Sequence, residues 1–305
     1  MRRSGDSDDS ARERPEDLPR DVMDLHRRIA AMREARRRRL RSEPVVYRRD
    51  LPAASPPRRR RYAPGPPVRL EDAVPGAVLD CRDGRPAYVI EERLDDADCA
   101  GLGAALAAAL RDSASNLSGH MAQAATATAI APEDVVFLDL ETTGLGSSPL
   151  FLVGTMAWED GTLVVRQYMA RDYSEERAVI ALFHEAAATC RLLVTFNGKS
   201  FDVPYLRVRA AATAAPYAEP PAHFDLLHVS RRAWPQGLTD HRLQTLERFI
   251  CGRVRRGDIP GAEIPAAYHD FVRTGDACVI AEAIRHNRLD LITLADLMVR
   301  LPPVC

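Results

Sequence analysis

Hydrophobic positions along this chain change their spacing several times, and each change marks an element. Ala77-Val78-Leu79-Asp80-Cys81 and Ala87-Tyr88-Val89-Ile90 flank an Asp83-Gly84 turn, the pattern of a β-hairpin. Leu102 to Leu110 follows as an alanine-rich helix, whereas Asp112 to Ala131 has no clear period and reads as a connector. From Pro132 the pattern sharpens. Val135 to Leu138 is a short apolar run, β-branched at its start, which predicts a buried strand rather than a helix. Phe151–Trp158 and Thr162–Met169 predict two more strands, joined at the turn signal Glu159-Asp160-Gly161. A helix is expected from Ser174 to about Thr189, with Glu175 and Glu176 suited to its positive end, then a strand over Arg191–Phe196. Leu226–Ala233, Leu243–Ile250 and Asp276–Val299 read as helices. Hairpin-linked strands followed by helix, strand and helix predict an α/β fold class, a mixed sheet flanked by helices.

Composition changes the picture mainly at the N-terminus. The chain has 305 residues and is 46% hydrophobic, ample core for one large domain or two small ones. Its net charge is −1, yet about half of its 42 basic residues precede Glu71. Met1–Leu70 therefore reads as a disordered Arg/Pro-rich basic tail, with one amphipathic helix over Asp21–Leu40 and arginine clusters at Arg36–Arg39 and Arg58–Arg61. Such a tail can also serve as an electrostatic arm for phosphate backbones. The expected organisation is thus the tail to residue 70, a small hairpin-plus-helix segment over 71–131, and a main domain over 132–305. Lys199 is the only lysine, so the many arginines reflect compositional bias. Six cysteines without a CxxC pair argue against a zinc cluster or disulfide framework and fit a reducing cytoplasm. His223 and His228 lack a third soft ligand nearby. Neither a signal peptide nor a membrane span is expected.

The candidate chemistry begins where the strand at Val135 ends in Asp139-Leu140-Glu141-Thr142-Thr143-Gly144. Strand alternation puts Asp139 and Glu141 on one face. Two neighbouring carboxylates repel, and burying both is costly without something positive between them; a divalent metal is the simplest such partner. A strand that has reached the surface explains the same residues. A second acid, Asp202, follows Thr195-Phe196-Asn197-Gly198-Lys199-Ser200-Phe201, where a strand ends, Gly198 lets the chain turn and a helix starts with Pro204 just inside it. Asp202 as an acid facing the helix dipole and Asn197 as a turn residue fit as well. His286 and Asp290 lie four apart on one helical face, which alone describes an ordinary surface pair.

Together the three sites resemble the DEDD (DnaQ-like) superfamily of 3′→5′ exonucleases. DLETTG at Asp139–Gly144 matches its first motif, Asn197-x-x-x-Phe201-Asp202 its second, and His286-x-x-x-Asp290 its third. More narrowly, Phe196–Asp202, His223–His228, Arg231-Arg232-x-Trp234, Leu243–Glu247 and Asp258–Gly261 resemble the YprB-type bacterial RNase H-like family. The resemblance implies a ribonuclease H-like fold with a five-stranded mixed sheet. It further implies that Asp139, Glu141, Asp202 and Asp290 hold two divalent ions, Mg²⁺ or Mn²⁺, for hydrolysis at single-stranded DNA or RNA ends. One departure concerns the third motif, where a histidine occupies the spacing of the family's tyrosine; imidazole titrates near neutrality, which suits His286 to general-base work.

Thr142, Asn197, Lys199, Phe201, Arg231, Arg232 and Trp234 are candidate nucleic-acid contacts. For Lys199 a phosphate contact and a solvated loop both fit; for Trp234, base stacking and helix packing both fit. Asp225 reads equally as support for the site and as a helix N-cap. The alternative function is a non-catalytic nucleic-acid-binding or scaffold protein that retained the fold. Nothing in the sequence points to a protein partner.

Overall fold

The computed structural model describes residues 66–94, 101–123, 130–144, 146, 148–234 and 238–304, so the expected basic tail lies outside the described residues as far as residue 65. Seven strands form one mixed sheet: β1 (Ala77–Asp80), β2 (Pro86–Arg93), β3 (Val135–Thr142), β4 (Leu150–Glu159), β5 (Thr162–Met169), β6 (Leu192–Thr195) and β7 (His223–Asp225), in the order β1-β2-β5-β4-β3-β6-β7. β3, β6 and β7 run parallel to one another, and the other pairings are antiparallel.

The expected sheet of five strands is corrected to seven. The β1–β2 hairpin, read as a separate segment, pairs along β5 from Tyr88↔Met169 to Arg93↔Val164. Without it β5 would leave a row of backbone N–H and C=O groups unpaired. Ala87, Tyr88, Val89 and Ile90 are accordingly all buried. Order also starts before residue 71: Val68 donates its N–H to Asp276 and accepts the N–H of Ala277, and Leu70 is buried in a single helical turn, Leu70–Ala73.

The helices are α1 (Leu102–Arg111), α2 (Asn116–Gln123), α3 (Glu176–Ala186), α4 (Asp202–Thr213), α5 (Leu226–Ala233), α6 (Leu243–Phe249), α7 (Ile264–Thr274) and α8 (Ile280–Val299). α2 corrects the expectation of a featureless connector: its two apolar anchors, Leu117 and Met121, are one turn apart, and the Ser115 hydroxyl accepts the Ser118 N–H at 3.1 Å ahead of it. α7 was not expected either; Pro265 sits in its first turn and Gly275 closes it at φ 71°. No described helix is long and apolar enough to cross a membrane.

Two apolar clusters hold the layers together, and β3 feeds both. Val136, Leu138 and Leu140 belong to the first with α3, α4 and α7; Val135 and Phe137 belong to the second with α1 and β6. Asp139 and Glu141 continue the second row beyond its apolar end. α8 spans the same divide, giving Ile280, Ala283 and Ile284 to the first cluster and Leu291 to Met298 mostly to the second. His286, Asn287 and Asp290 fall in the stretch between.

Candidate active site

The end of β3 sets Asp139 and Glu141 near Asp202, the first residue of α4, and near Asp290 of α8. Their convergence is visible in their mutual charge effects. Desolvation first, then the charges of Asp290, Glu141 and Asp202, push Asp139 well above the usual carboxylate range. Glu141 is pushed up in the same way by desolvation, Asp290 and Asp202. Burial raises Asp202, which is 5% exposed, to about 7, against backbone N–H groups that favour its charged form. Three of the four predicted ligands are therefore acids short of positive charge.

Asp139 is fixed by a polar chain running across the sheet. Asn287 of α8 donates Nδ2–H to Asp139 Oδ2 at 2.8 Å and to its carbonyl at 3.1 Å, while its Oδ1 accepts from Gln167 Nε2 at 2.8 Å. Gln167 Nε2 also donates to the Ile284 carbonyl at 2.8 Å. A carbonyl only accepts, so that bond sets the Gln167 amide, which sets Asn287, which places a donor on Asp139. Gly154 lies between, opposite Asp139 on one side and Gln167 on the other. A Cβ there would stand 2.0 Å from Asn287 Oδ1, so only glycine admits the amide.

Asp290 belongs to a second network around Arg255, whose side chain is 7% exposed. Arg255 donates to Asp290 Oδ1, to Glu247 Oε2 at 2.6 Å and to Asp258 Oδ2 at 3.3 Å. His286 lies between two of these acids, Nδ1 at 2.9 Å from Asp258 Oδ2 and Nε2 at 3.4 Å from Asp290 Oδ2. A carboxylate only accepts, so Asp258 is served by a proton on Nδ1, and Nε2 is the nitrogen on the Asp290 side of the ring.

The loop between β6 and α4 is braced from beneath. Asp225 accepts the N–H groups of Asn197 at 2.9 Å and Lys199 at 3.0 Å, and also caps α5 by accepting from Leu227 at 3.0 Å. Both readings of Asp225 thus hold at once. Asn197 takes a left-handed φ of 67°, turning the chain toward Asp202. Gly198 packs so closely on Thr195 that a Cβ would meet its Oγ1 at 2.2 Å. Phe201 is half-buried with its ring 5.3 Å from Tyr205, and Thr142 donates to the Gly144 carbonyl at 2.8 Å.

The remaining candidates divide. Lys199, Arg231 and Arg232 are exposed, and Asn197 and Arg231 line one groove. Trp234 is half-buried against the second apolar cluster, as helix packing requires. Sequence reasoning missed Gly154, Gln167, Asn287 and Arg255. It touched Glu247 and Asp258 only as family resemblances without a role. One signal was within reach: Asn287 directly follows His286.

Among the described residues no three His, Cys, Asp or Glu groups stand as a ready-made metal cage; Asp290 Oδ1 is held by Arg255. The donor chemistry nevertheless fits a hard dication, because Asp139, Glu141 and Asp202 offer only oxygen and are raised for want of positive charge.

A family model described as the RNase_H superfamily matches residues 136–302. The chain is 31% identical over 174 residues to "Uncharacterized protein YprB" of Bacillus subtilis (strain 168), across 55% of this chain and 42% of that protein. It thus spans less than half the length of that curated relative. Among solved structures, the family B DNA polymerase from the hyperthermophilic archaeon Pyrobaculum calidifontis is similar over 53% of this chain and 24% of its own, at 20% identity and a TM-score of 0.44.

Proposed function

Since the chain belongs to the RNase_H superfamily, we propose that it is a metal-dependent nuclease, and more narrowly a DEDD-type 3′→5′ exonuclease acting on single-stranded DNA or RNA ends. One observation carries this reading: Asp139, Glu141, Asp202 and Asp290 converge, the first three are raised chiefly by burial, and Asp139 and Glu141 are raised further by the charges of the other acids. These four would hold two Mg²⁺ or Mn²⁺ ions, which when bound supply charge neutralisation on the phosphate and a water of lowered pKa.

The chain's own residues do the rest. Asn287 holds one oxygen of Asp139 and fixes that carboxylate's orientation. Asp258 orients His286 so that Nε2 accepts the proton of the attacking water, the arrangement that makes a carboxylate-bound imidazole a base. Lys199, Arg231 and Arg232 neutralise phosphates, while Thr142, Asn197, Phe201 and Trp234 contact the terminal nucleotides. Free thiols at Cys81, Cys190, Cys251 and Cys278 support a reducing, cytoplasmic setting.

A second reading, a nucleic-acid-binding protein without hydrolysis, is favoured by the grip of Arg255 on Asp290. End-labelled single- and double-stranded DNA and RNA, incubated with Mg²⁺ or Mn²⁺, separate the two. Exonuclease action gives laddering from the 3′ end that Asp139→Ala abolishes. Binding without cleavage of any substrate by folded, metal-supplied protein selects the second reading.

A further inference from the structure

Beyond the carboxylates, a groove of about 610 Å³ runs beside α6, and its wall includes Arg255 and Asp258. These are the side chains that hold Asp290 and His286, so the groove adjoins the candidate site across them. At its rim lie Phe249 and Val254, 57% and 69% exposed, the two most exposed large apolar side chains among the described residues. Apolar side chains exposed singly are ordinary, but these two line the same groove, the kind of shared apolar exposure that marks a binding surface. Arg248 sits over the Phe249 ring, its guanidinium carbon 5.5 Å from the centroid, and makes no ion pair with any described residue. A solvent-exposed ring beside a guanidinium without an ion pair suits one chemistry in particular: a base stacks on the ring while its phosphate meets the cation.

We propose that this groove carries the single strand leading into the site, with Phe249 stacking a base and Arg248 contacting the adjoining phosphate. The proposal rests on the nuclease reading and extends it by assigning the path of the strand away from its reacting end. It differs from the surface near Asn197 and Arg231, which lies on another groove. The sugar is left open, because stacking and phosphate contact serve DNA and RNA alike.

The test is anisotropy binding of fluorescent single strands of about 12 nucleotides, DNA and RNA in separate arms, to the full chain carrying Asp139→Ala so that the strand survives. Phe249→Ala in that background weakens binding about tenfold or more, and Phe249→Tyr restores it. Arg248→Gln lowers the slope of log affinity against log salt by about 0.7. A preference in one arm identifies the sugar that the groove serves. Affinity unchanged by Phe249→Ala, while the chain with Asp139 intact still cleaves the same strands, overturns the groove and leaves the nuclease reading standing. Unchanged affinity together with a shift in molar mass by light scattering assigns the patch to a protein contact and overturns it equally. Failure of the chain with Asp139 intact to bind or cleave any strand removes the nuclease reading, and the groove falls with it.

Discussion

Two acidic clusters meet at the end of β3, and they solve the same problem differently. Glu247, Asp258 and Asp290 surround Arg255 and His286, so their charges are met by groups of the chain itself. Among the described residues, Asp139, Glu141 and Asp202 have the Asn287 amide and a few backbone N–H groups, with Arg255 a minor influence on Glu141. A buried acid without a cation either keeps its proton or takes a cation from outside. The first cluster finds its cations within the fold; for the second, on the proposed reading, metal ions supply them. Asp290 stands in both, which makes Arg255 the point where the two exchange charge.

The sharpest way to break this contrast is to take the cation from the paired cluster. Arg255→Met removes the nearest cation of Glu247, which is 2% exposed and keeps the Thr293 hydroxyl at 3.1 Å and Arg253 at 3.9 Å, and should cost about 3–5 kcal/mol in urea denaturation. A loss below about 1 kcal/mol would show that the acids find other compensation and that the clusters do not differ as described.

The opposite sign is expected in the other cluster. Asp202 keeps its proton to about 7 in the fold, against about 3.9 in an unfolded chain. Between those values the native state binds more protons than the unfolded state, so metal-free stability is full below the lower value and falls as pH rises through the upper one. Asp202→Asn should therefore flatten the melting profile between pH 5 and 8, gaining on the order of 3 kcal/mol at the alkaline end. Adding Mn²⁺ should flatten the unmodified protein in the same way. A metal-free protein whose melting temperature is level across that range would refute the account.

A smaller effect tests the chain that holds Asp139. Gly154→Ala forces the Asn287 amide aside and should cost about 1–3 kcal/mol. In a double-mutant cycle the penalty should shrink once Asn287→Ala has made room; strict additivity would mean that the glycine is needed for another reason.

How much of this the sequence disclosed follows from the range of the interactions. The apolar run ending in Asp139 and Glu141 was legible because strand alternation is local. Asp202 and His286-x-x-x-Asp290 were legible through family resemblance and helical spacing. Gly154 and Gln167 were not, since their meaning comes from register: each faces its partner only once β4 and β5 have paired. Arg255 was hidden for a different reason. In a chain with a single lysine, one more arginine carries no signal, and only burial singles it out. The hairpin was legible as a hairpin, but its place along β5 depends on an edge that forms elsewhere.

The Asn287–Asp139 hydrogen bond spans 148 residues of sequence. Contacts so far apart demand loop closure before they return any energy, which makes this part of the fold slow to form. Synthesis delivers β3 with its acids early and α8 late. A growing chain that has already paired β3 with β4 therefore holds Asp139 and Glu141 but not Asn287, His286 or Asp290. On the proposed nuclease reading, a nascent chain would carry the first two acids of the site but not the third-motif residues that complete it until α8 docks.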